Sequence, residues 1–214
     1  DWAFSRKAGA TLALGDTAKA IYEFSLVFER CSSRRREADL SLRMKGIKFQ
    51  EKALSYCQND AEKAAVYALC AIQPLEDGLP MLKKIVELNP KNNLIELITA
   101  REINKNEYYV NGEIPYVEDT TAYETRRAES SNYFEQLGEF SAENAENKNL
   151  GNPAFWYTAA SYIAYVNKNY DKSSEYLTKA QATATQNSYL KQQMSIQQML
   201  LLIAKQDKIT PEFE

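Results

Sequence analysis

Apolar residues recur every three or four positions along most of this chain, which is the period of an amphipathic α-helix. The clearest example follows a turn at Gly15, where Ala20, Phe24 and Val27 share one helical face. A weaker copy of this turn and helix recurs over residues 169–184. No segment gives a convincing β-strand pattern, so the sequence predicts an all-α protein.

Polar caps, glycines and prolines interrupt this pattern and divide the chain into about ten helices. The helical segments are predicted over residues 2–14, 15–30 (where the turn Gly15-Asp16 precedes the helix), 34–58, 61–72, 78–88, 94–106, 122–147, 155–167, 170–185 and 189–205. In the third of these segments Leu40 is predicted to face inward, and Gly46 either separates two short helices or weakens one long helix. Asp16, Asn59 and Asn152 are suited to cap the helices that follow them.

We expect one helical-repeat domain over residues 1–214. It consists of N-terminal repeats at 1–106, an irregular loop at 107–121 and C-terminal helices at 122–206. A connection of about fifteen residues is long for a helical array, and such loops are either functional or loosely ordered. The chain begins at Asp1 rather than Met, so we also expect it to be a segment of a longer protein.

Residues 3–30 carry small, aromatic and turn residues in a regular order. They stand at Phe4, Ala8, Gly15-Asp16, Ala20 and Phe24. This order resembles the tetratricopeptide repeat, a helix-turn-helix unit of about 34 residues. The segment departs from that family's pattern at Lys7, Thr11 and Ser32, where Leu, Tyr and Pro are usual.

Two further segments resemble the same family. In residues 62–90 the matching positions are Val66, Leu69, Gly78, Leu82, Ile85 and Pro90, and in residues 157–186 they are Ser161, Ser173, Leu177 and Ala180. The resemblance implies a right-handed α-α superhelix, that is, a tetratricopeptide-like helical-repeat solenoid, in a protein of bacterial origin. Another helix-pair array and a compact bundle remain as alternatives.

The chain contains no histidine, and this limits the chemistry available to it. Ser-His and Cys-His nucleophilic systems and histidine zinc sites are excluded, and no glycine-rich phosphate loop is present. Cys31, Cys57 and Cys70 have no metal-binding spacing and are predicted to be buried free thiols. We therefore predict that the protein is not an enzyme and has no catalytic, metal-binding or cofactor-binding residue.

The charges are unevenly distributed along the chain. Residues 1–60 carry 11 basic and 8 acidic side chains, whereas residues 107–149 carry 3 basic and 10 acidic ones. The sequence pI near 5.3 and the lack of a sustained basic face argue against nucleic acid as a partner. No apolar run approaches the roughly 20 residues of a membrane span.

The resemblance also implies a concave groove lined by the first helix of each repeat, where a protein or peptide partner would bind. Its residues would be Trp2, Ser5, Gly9 and Leu12 in the first repeat, Lys63, Tyr67 and Cys70 in the second, and Phe155, Thr158, Tyr162 and Tyr165 in the third. The alternative is that these tyrosines simply pack between helices. The loop tyrosines form a rival site, or they cover the acidic helix: Tyr108, Tyr109 and Tyr116.

The predicted function is a non-enzymatic scaffold that binds a protein or peptide partner. One alternative is a carbohydrate-binding or nutrient-uptake component of a bacterial cell envelope, because similar helical-repeat cores occur in bacterial glycan-binding lipoproteins. Another is an accessory domain of a larger enzyme. The compartment stays open, with a periplasmic or surface location slightly favoured over the cytoplasm.

Overall fold

The computed structural model describes residues 1–43, 48–74, 76–112, 120–183 and 186–206. Within these ranges all regular structure is helical, which confirms the all-α prediction. The α-helices are α1 (Trp2–Ala13), α2 (Thr17–Arg30), α3 (Arg35–Leu42), α4 (Gln50–Leu54), α5 (Asp60–Ala71), α6 (Leu79–Leu88), α7 (Ile95–Asn111), α8 (Thr121–Glu146), α9 (Pro153–Val166), α10 (Tyr170–Ala182) and α11 (Ser188–Ala204). A single 3₁₀ turn, Ser32–Arg34, precedes α3 in this part of the chain.

The helices belong to two units, Asp1–Glu102 and Ile103–Glu214, and the boundary between the units falls inside α7. In the first unit α1 packs against α2, α5 packs against α6, and α2 also packs against α5. In the second unit α9 packs against α8, α10 and α11. The three segments that resemble a tetratricopeptide repeat therefore each fall on a pair of packed helices.

The turns that start these helices have the predicted capping residues. Gly15 adopts a left-handed backbone (φ +87°), a conformation that glycine reaches without steric cost. The Asp16 carboxylate then accepts a hydrogen bond of 3.1 Å from the Lys19 N–H at the start of α2. Side-chain caps are also made by Asn59 for α5 and by Asn152 for α9. All three predicted N-caps are confirmed.

Two predicted segments differ in extent from the observed helices. Segment 34–58 contains two short helices, α3 and α4, and Gly46 lies outside the described residues. The prediction for Leu40 was wrong: it is exposed, because α3 packs on α2 through a face that buries Ala38 and Leu42 instead. Helix α7 continues past its predicted end at residue 106 to Asn111, and Tyr109 near its end contacts the ring of Tyr123.

The bend between α9 and α10 is tight. Lys168 has a left-handed backbone (φ +60°), and its N–H donates to the Tyr165 carbonyl at 2.9 Å. The next N–H, of Asn169, donates to the Ala164 carbonyl at 2.8 Å. These bonds satisfy the last carbonyls of α9 in the manner of a helix C-cap that usually employs glycine.

Helix α11 packs against α9 and α10. Four residues of one face are buried against neighbouring helices: Leu190, Met194, Gln197 and Leu201. The second apolar stripe of α11 is not buried, since Ile196 and Ile203 are 51% and 56% exposed.

Candidate functional site

The first unit contains a carboxylate that is almost completely removed from solvent. The Glu23 side chain, on α2, is 3% exposed and lies 3.2 Å from the Lys7 ammonium. The Thr11 hydroxyl donates to the same carboxylate at 2.6 Å. Lys7 and Thr11 are two of the positions at which the sequence departs from the tetratricopeptide pattern. Both side chains bind the buried Glu23 carboxylate, which accounts for a polar residue at each position.

Two other buried acids of this unit are also held by structural partners. Glu62 accepts hydrogen bonds from the Tyr22 hydroxyl at 3.0 Å and from the Gln58 N–H at 2.9 Å. Burial, followed by this contact with Glu62, raises the pKa of Tyr22. Glu102 accepts from the Gly78 N–H at 3.0 Å, which satisfies a free N–H at the start of α6. These groups join helices and are therefore not available to a ligand.

The predicted groove residues of the first unit lie on α1 and α5. Trp2 is 60% exposed, and the Arg34 guanidinium carbon lies 3.5 Å from the centre of its ring. Half-buried positions are occupied by Ser5, Leu12, Lys63 and Tyr67, whereas Cys70 is buried. The Lys63 ammonium pairs with Asp60 at 2.8 Å. Space is open beside Gly9, where an added Cβ would meet no atom within 4 Å.

In the second unit the structure brings three tyrosines together at the end of α9. The rings of Tyr162 and Tyr165 stack with their centres 6.3 Å apart, and Tyr170 lies 5.8 Å from Tyr165. Burial and a hydrogen bond to Glu107 raise the pKa of Tyr162 to about 12. All three tyrosines are half-buried, so each has one part of its ring packed and another part open to solvent.

The other two predicted groove residues of α9 have different surroundings. Phe155 is half-buried, with its ring 5.4 Å from that of Trp156 in an edge-to-face contact. Thr158 is 4% exposed, and its hydroxyl donates to the Ala154 carbonyl at 2.6 Å. The Gln197 amide of α11 donates to the Thr158 carbonyl at 3.3 Å, so α11 covers this position.

Two tyrosines of the alternative loop site lie on a helix. Tyr108 and Tyr109 belong to α7, and Tyr116 lies outside the described residues. Tyr108 is 66% exposed, and its ring meets that of Tyr109 edge to face at 5.3 Å. Tyr109 in turn contacts Tyr123 of α8, with ring centres 6.3 Å apart. Part of this aromatic cluster therefore packs α7 against α8.

A polar cavity of about 220 Å³ opens where α8, α9 and α10 meet. Its apolar floor includes Ile163 and Ala164 of α9. Gly138 of α8 also lines it, and a Cβ there would lie only 2.9 Å from Ile163, so glycine permits the close approach of α8 to α9. The polar residues that line it are Glu135, Glu139, Asn167, Asn169, Lys172 and Tyr176.

The charges around this cavity are not neutralised by pairing. Among the described residues, neither Glu135 nor Glu139 has an ion-pair partner, and both are exposed. The cavity was not predicted from the sequence. The sequence feature that could have indicated it is the pair Glu135 and Glu139, which lie four residues apart on either side of Gly138. Acidic residues on a helix are usually only exposed to solvent, so this pair alone does not predict a site.

In comparisons with known proteins, no family model, no curated protein and no solved structure matches this chain. No cluster of three or more cysteine, aspartate or glutamate side chains arranged to hold a metal occurs in the described ranges. In the same part of the chain, every helix is too short or too polar to cross a lipid bilayer.

Proposed function

We propose that this chain is a non-enzymatic helical scaffold that binds a protein or peptide partner. The observation that carries the proposal is the half-buried tyrosine cluster of Tyr162, Tyr165 and Tyr170. Tyrosine gives a large contact area with a polar tip and loses little conformational entropy on binding. A hydrogen bond to Glu107 restrains the Tyr162 ring, and contacts with the rings of Tyr162 and Tyr170 restrain that of Tyr165.

We further propose that the helix pairs belong to a tetratricopeptide-like right-handed superhelix. The supporting observation is a pair of residues that recurs, with the same separation along the chain, in each of the three helix pairs. The pairs are Ala8 with Ala20, Val66 with Gly78, and Ser161 with Ser173. All of these residues are buried. In such arrays each helix pair leaves an apolar face that its neighbour must cover, and the exposed surfaces serve recognition.

The test is selection of binding peptides from a random peptide library, followed by affinity measurements with purified protein. Selected peptides should bind the wild type and lose at least about tenfold in affinity to the Tyr162→Ala/Tyr165→Ala variant. Tyr189→Ala is the matched control, because Tyr189 is 81% exposed on α11 and lies outside the cluster. Circular dichroism of each variant establishes that the helices are retained.

Equal loss of affinity in the control variant, or no loss in the cluster variant, would overturn this proposal.

A glycan array is the second experiment, because sugars also stack on tyrosine rings. Binding of glycans in the absence of any selected peptide would favour the carbohydrate-binding alternative and a role at the bacterial cell envelope.

A further inference from the structure

We propose that the cavity between α8, α9 and α10 binds an arginine side chain carried by a peptide partner. The cavity lies on residues other than the tyrosine cluster. This inference rests on the proposed function only in taking a peptide as the molecule that carries the arginine. The cavity would be a second contact site beside the tyrosine cluster, and the partner would carry an arginine.

The cavity has the size and floor that a long basic side chain requires. Its volume is about 220 Å³. Ile163 and Ala164 give it an apolar floor, on which the methylene groups of an arginine would lie. A small inorganic ion would leave this floor unused.

The carboxylates of the cavity are placed to receive a guanidinium group. Glu135 and Glu139 are separated by one helical turn, which places their Cβ atoms about 5–6 Å apart. Like charges at this spacing destabilise a helix, and a shared cation would remove that repulsion. A guanidinium presents five N–H donors in a plane and so can bond two carboxylates together.

The opposite wall of the cavity suits the rest of the peptide. Tyr176 lines this wall of the cavity, and the ammonium groups of Lys172 and Lys179 both lie close to its ring. The Lys172 ammonium is 5.9 Å from the centre of that ring and can donate to a peptide carbonyl. With two carboxylates and one ammonium, the charged groups lining the cavity carry a net negative charge that selects a cationic side chain.

The surrounding charge favours the same partner. From residue 128 to the end of α8 at Glu146 the helix carries five acidic residues and no basic one. Such a concentration of one sign raises the local concentration of oppositely charged molecules and speeds their association. The partner surface that faces α8 should therefore be basic around the inserted arginine.

The experiment is a titration of ¹⁵N-labelled protein with a blocked glycine-arginine-glycine peptide, followed by amide shifts. Binding with a Kd on the order of 1 mM is expected, with shifts concentrated at residues that line the cavity. The same peptide with citrulline is isosteric but uncharged, and it should bind at least about tenfold more weakly. The Glu139→Gln variant should lose a similar factor for the arginine peptide.

Glu143→Gln is the matched control, since it removes the same charge from the same exposed stretch of α8 outside the cavity lining. It should keep most of the affinity. Equal binding of the two peptides, equal losses in both variants or no binding at all would overturn the inference. The Tyr162→Ala/Tyr165→Ala variant should still bind the arginine peptide, which separates this test from that of the proposed function.

Discussion

Ser161 and Ser173 hydrogen-bond to each other's main chain where α9 crosses α10. The Ser161 hydroxyl donates to the Ser173 carbonyl at 2.9 Å, and the Ser173 hydroxyl donates to the Ser161 carbonyl at 2.8 Å. Both residues are fully buried. Helices can share such bonds only when their backbones are close, so the pair marks a close approach within this hairpin. In the first unit Ala8 and Ala20, which have the same separation along the chain, are also fully buried.

This crossing should tolerate loss of the hydroxyls better than added volume. Ser161→Ala should lower the free energy of unfolding by about 1 kcal/mol, the usual net value of one hydrogen bond. Ser161→Leu should lower it by more, because an oversized side chain in a packed crossing costs about 1–3 kcal/mol and also removes the bond. Urea unfolding followed by circular dichroism measures both. Ser174→Ala, on the half-buried neighbour, is the control, and a Leu variant as stable as the Ala variant would contradict the close packing.

The buried Glu23 should make Thr11 sensitive to substitution. Thr11→Val preserves shape but leaves a carboxylate oxygen without its 2.6 Å donor, and the expected loss of stability is about 1–3 kcal/mol. Replacing both residues, as Thr11→Val/Glu23→Leu, should be less harmful than the sum of the two single changes. Thermal unfolding of the four proteins in this double-mutant cycle provides the measurement. Strict additivity of the two changes would show that the contact contributes nothing.

Alanine should have opposite effects at two glycines of the first unit. At Gly78 an added Cβ would lie 2.9 Å from the Glu102 side chain and 3.1 Å from the Ala71 carbonyl, so Gly78→Ala should be destabilising by about 1–3 kcal/mol. At Gly9, inside α1, an added Cβ would meet no atom within 4 Å beyond the helix's own backbone, so Gly9→Ala should be stabilising by about 0.4–1 kcal/mol. Paired denaturation curves test the signs. The same sign at both positions would contradict this account.

Two thiols should react slowly in the folded protein. Burial raises the pKa of Cys57 to about 11 and that of Cys70 to about 12. A raised pKa keeps a thiol protonated, and the thiolate is the reactive form, so at pH 8 only about one Cys57 in a thousand is reactive. Labelling with a disulfide reagent should therefore accelerate about tenfold for each pH unit above 8. Rapid labelling of native protein at pH 8 that disappears in Cys57→Ser would contradict the expected protection, and unfolded protein supplies the reference rate.

Helix positions could be predicted from the sequence because helix starts are locally encoded. Asp16 and Asn59 each bond an N–H within their own first turn, so no distant residue is needed to place them. The all-α class depends on information of this kind.

Features that depend on distant residues were not predictable in the same way. The extension of α7 to Asn111 involves contacts of Glu107 with Tyr162 and of Tyr109 with Tyr123, which lie on other helices. Thr158 belongs to the predicted groove, yet its burial depends on Gln197 of α11. Period and spacing locate a residue on its own helix but do not identify the helix that covers it.

The candidate cavity shows the same limit. Its lining comes from three helices, and only the pair of Glu135 and Glu139 is visible as a spacing within one of them. The departures at Lys7 and Thr11 were visible as exceptions to the repeat pattern. Their common cause, Glu23, stands between Ala20 and Val27 on a stripe that the sequence marks as inward, and a charged residue there was the available signal.

Lys168 has a left-handed backbone and lies in the α9–α10 bend, beside the cavity. Its conformation therefore affects both how easily the bend forms and how the cavity is shaped. A side chain in this conformation costs about 1–2 kcal/mol relative to glycine. The residues on either side of it, Asn167 and Asn169, both line the cavity. A glycine at 168 would relax the bend but would also let these two amides move more freely. Selection for folding alone and selection for a rigid cavity rim would therefore favour different residues at this one position.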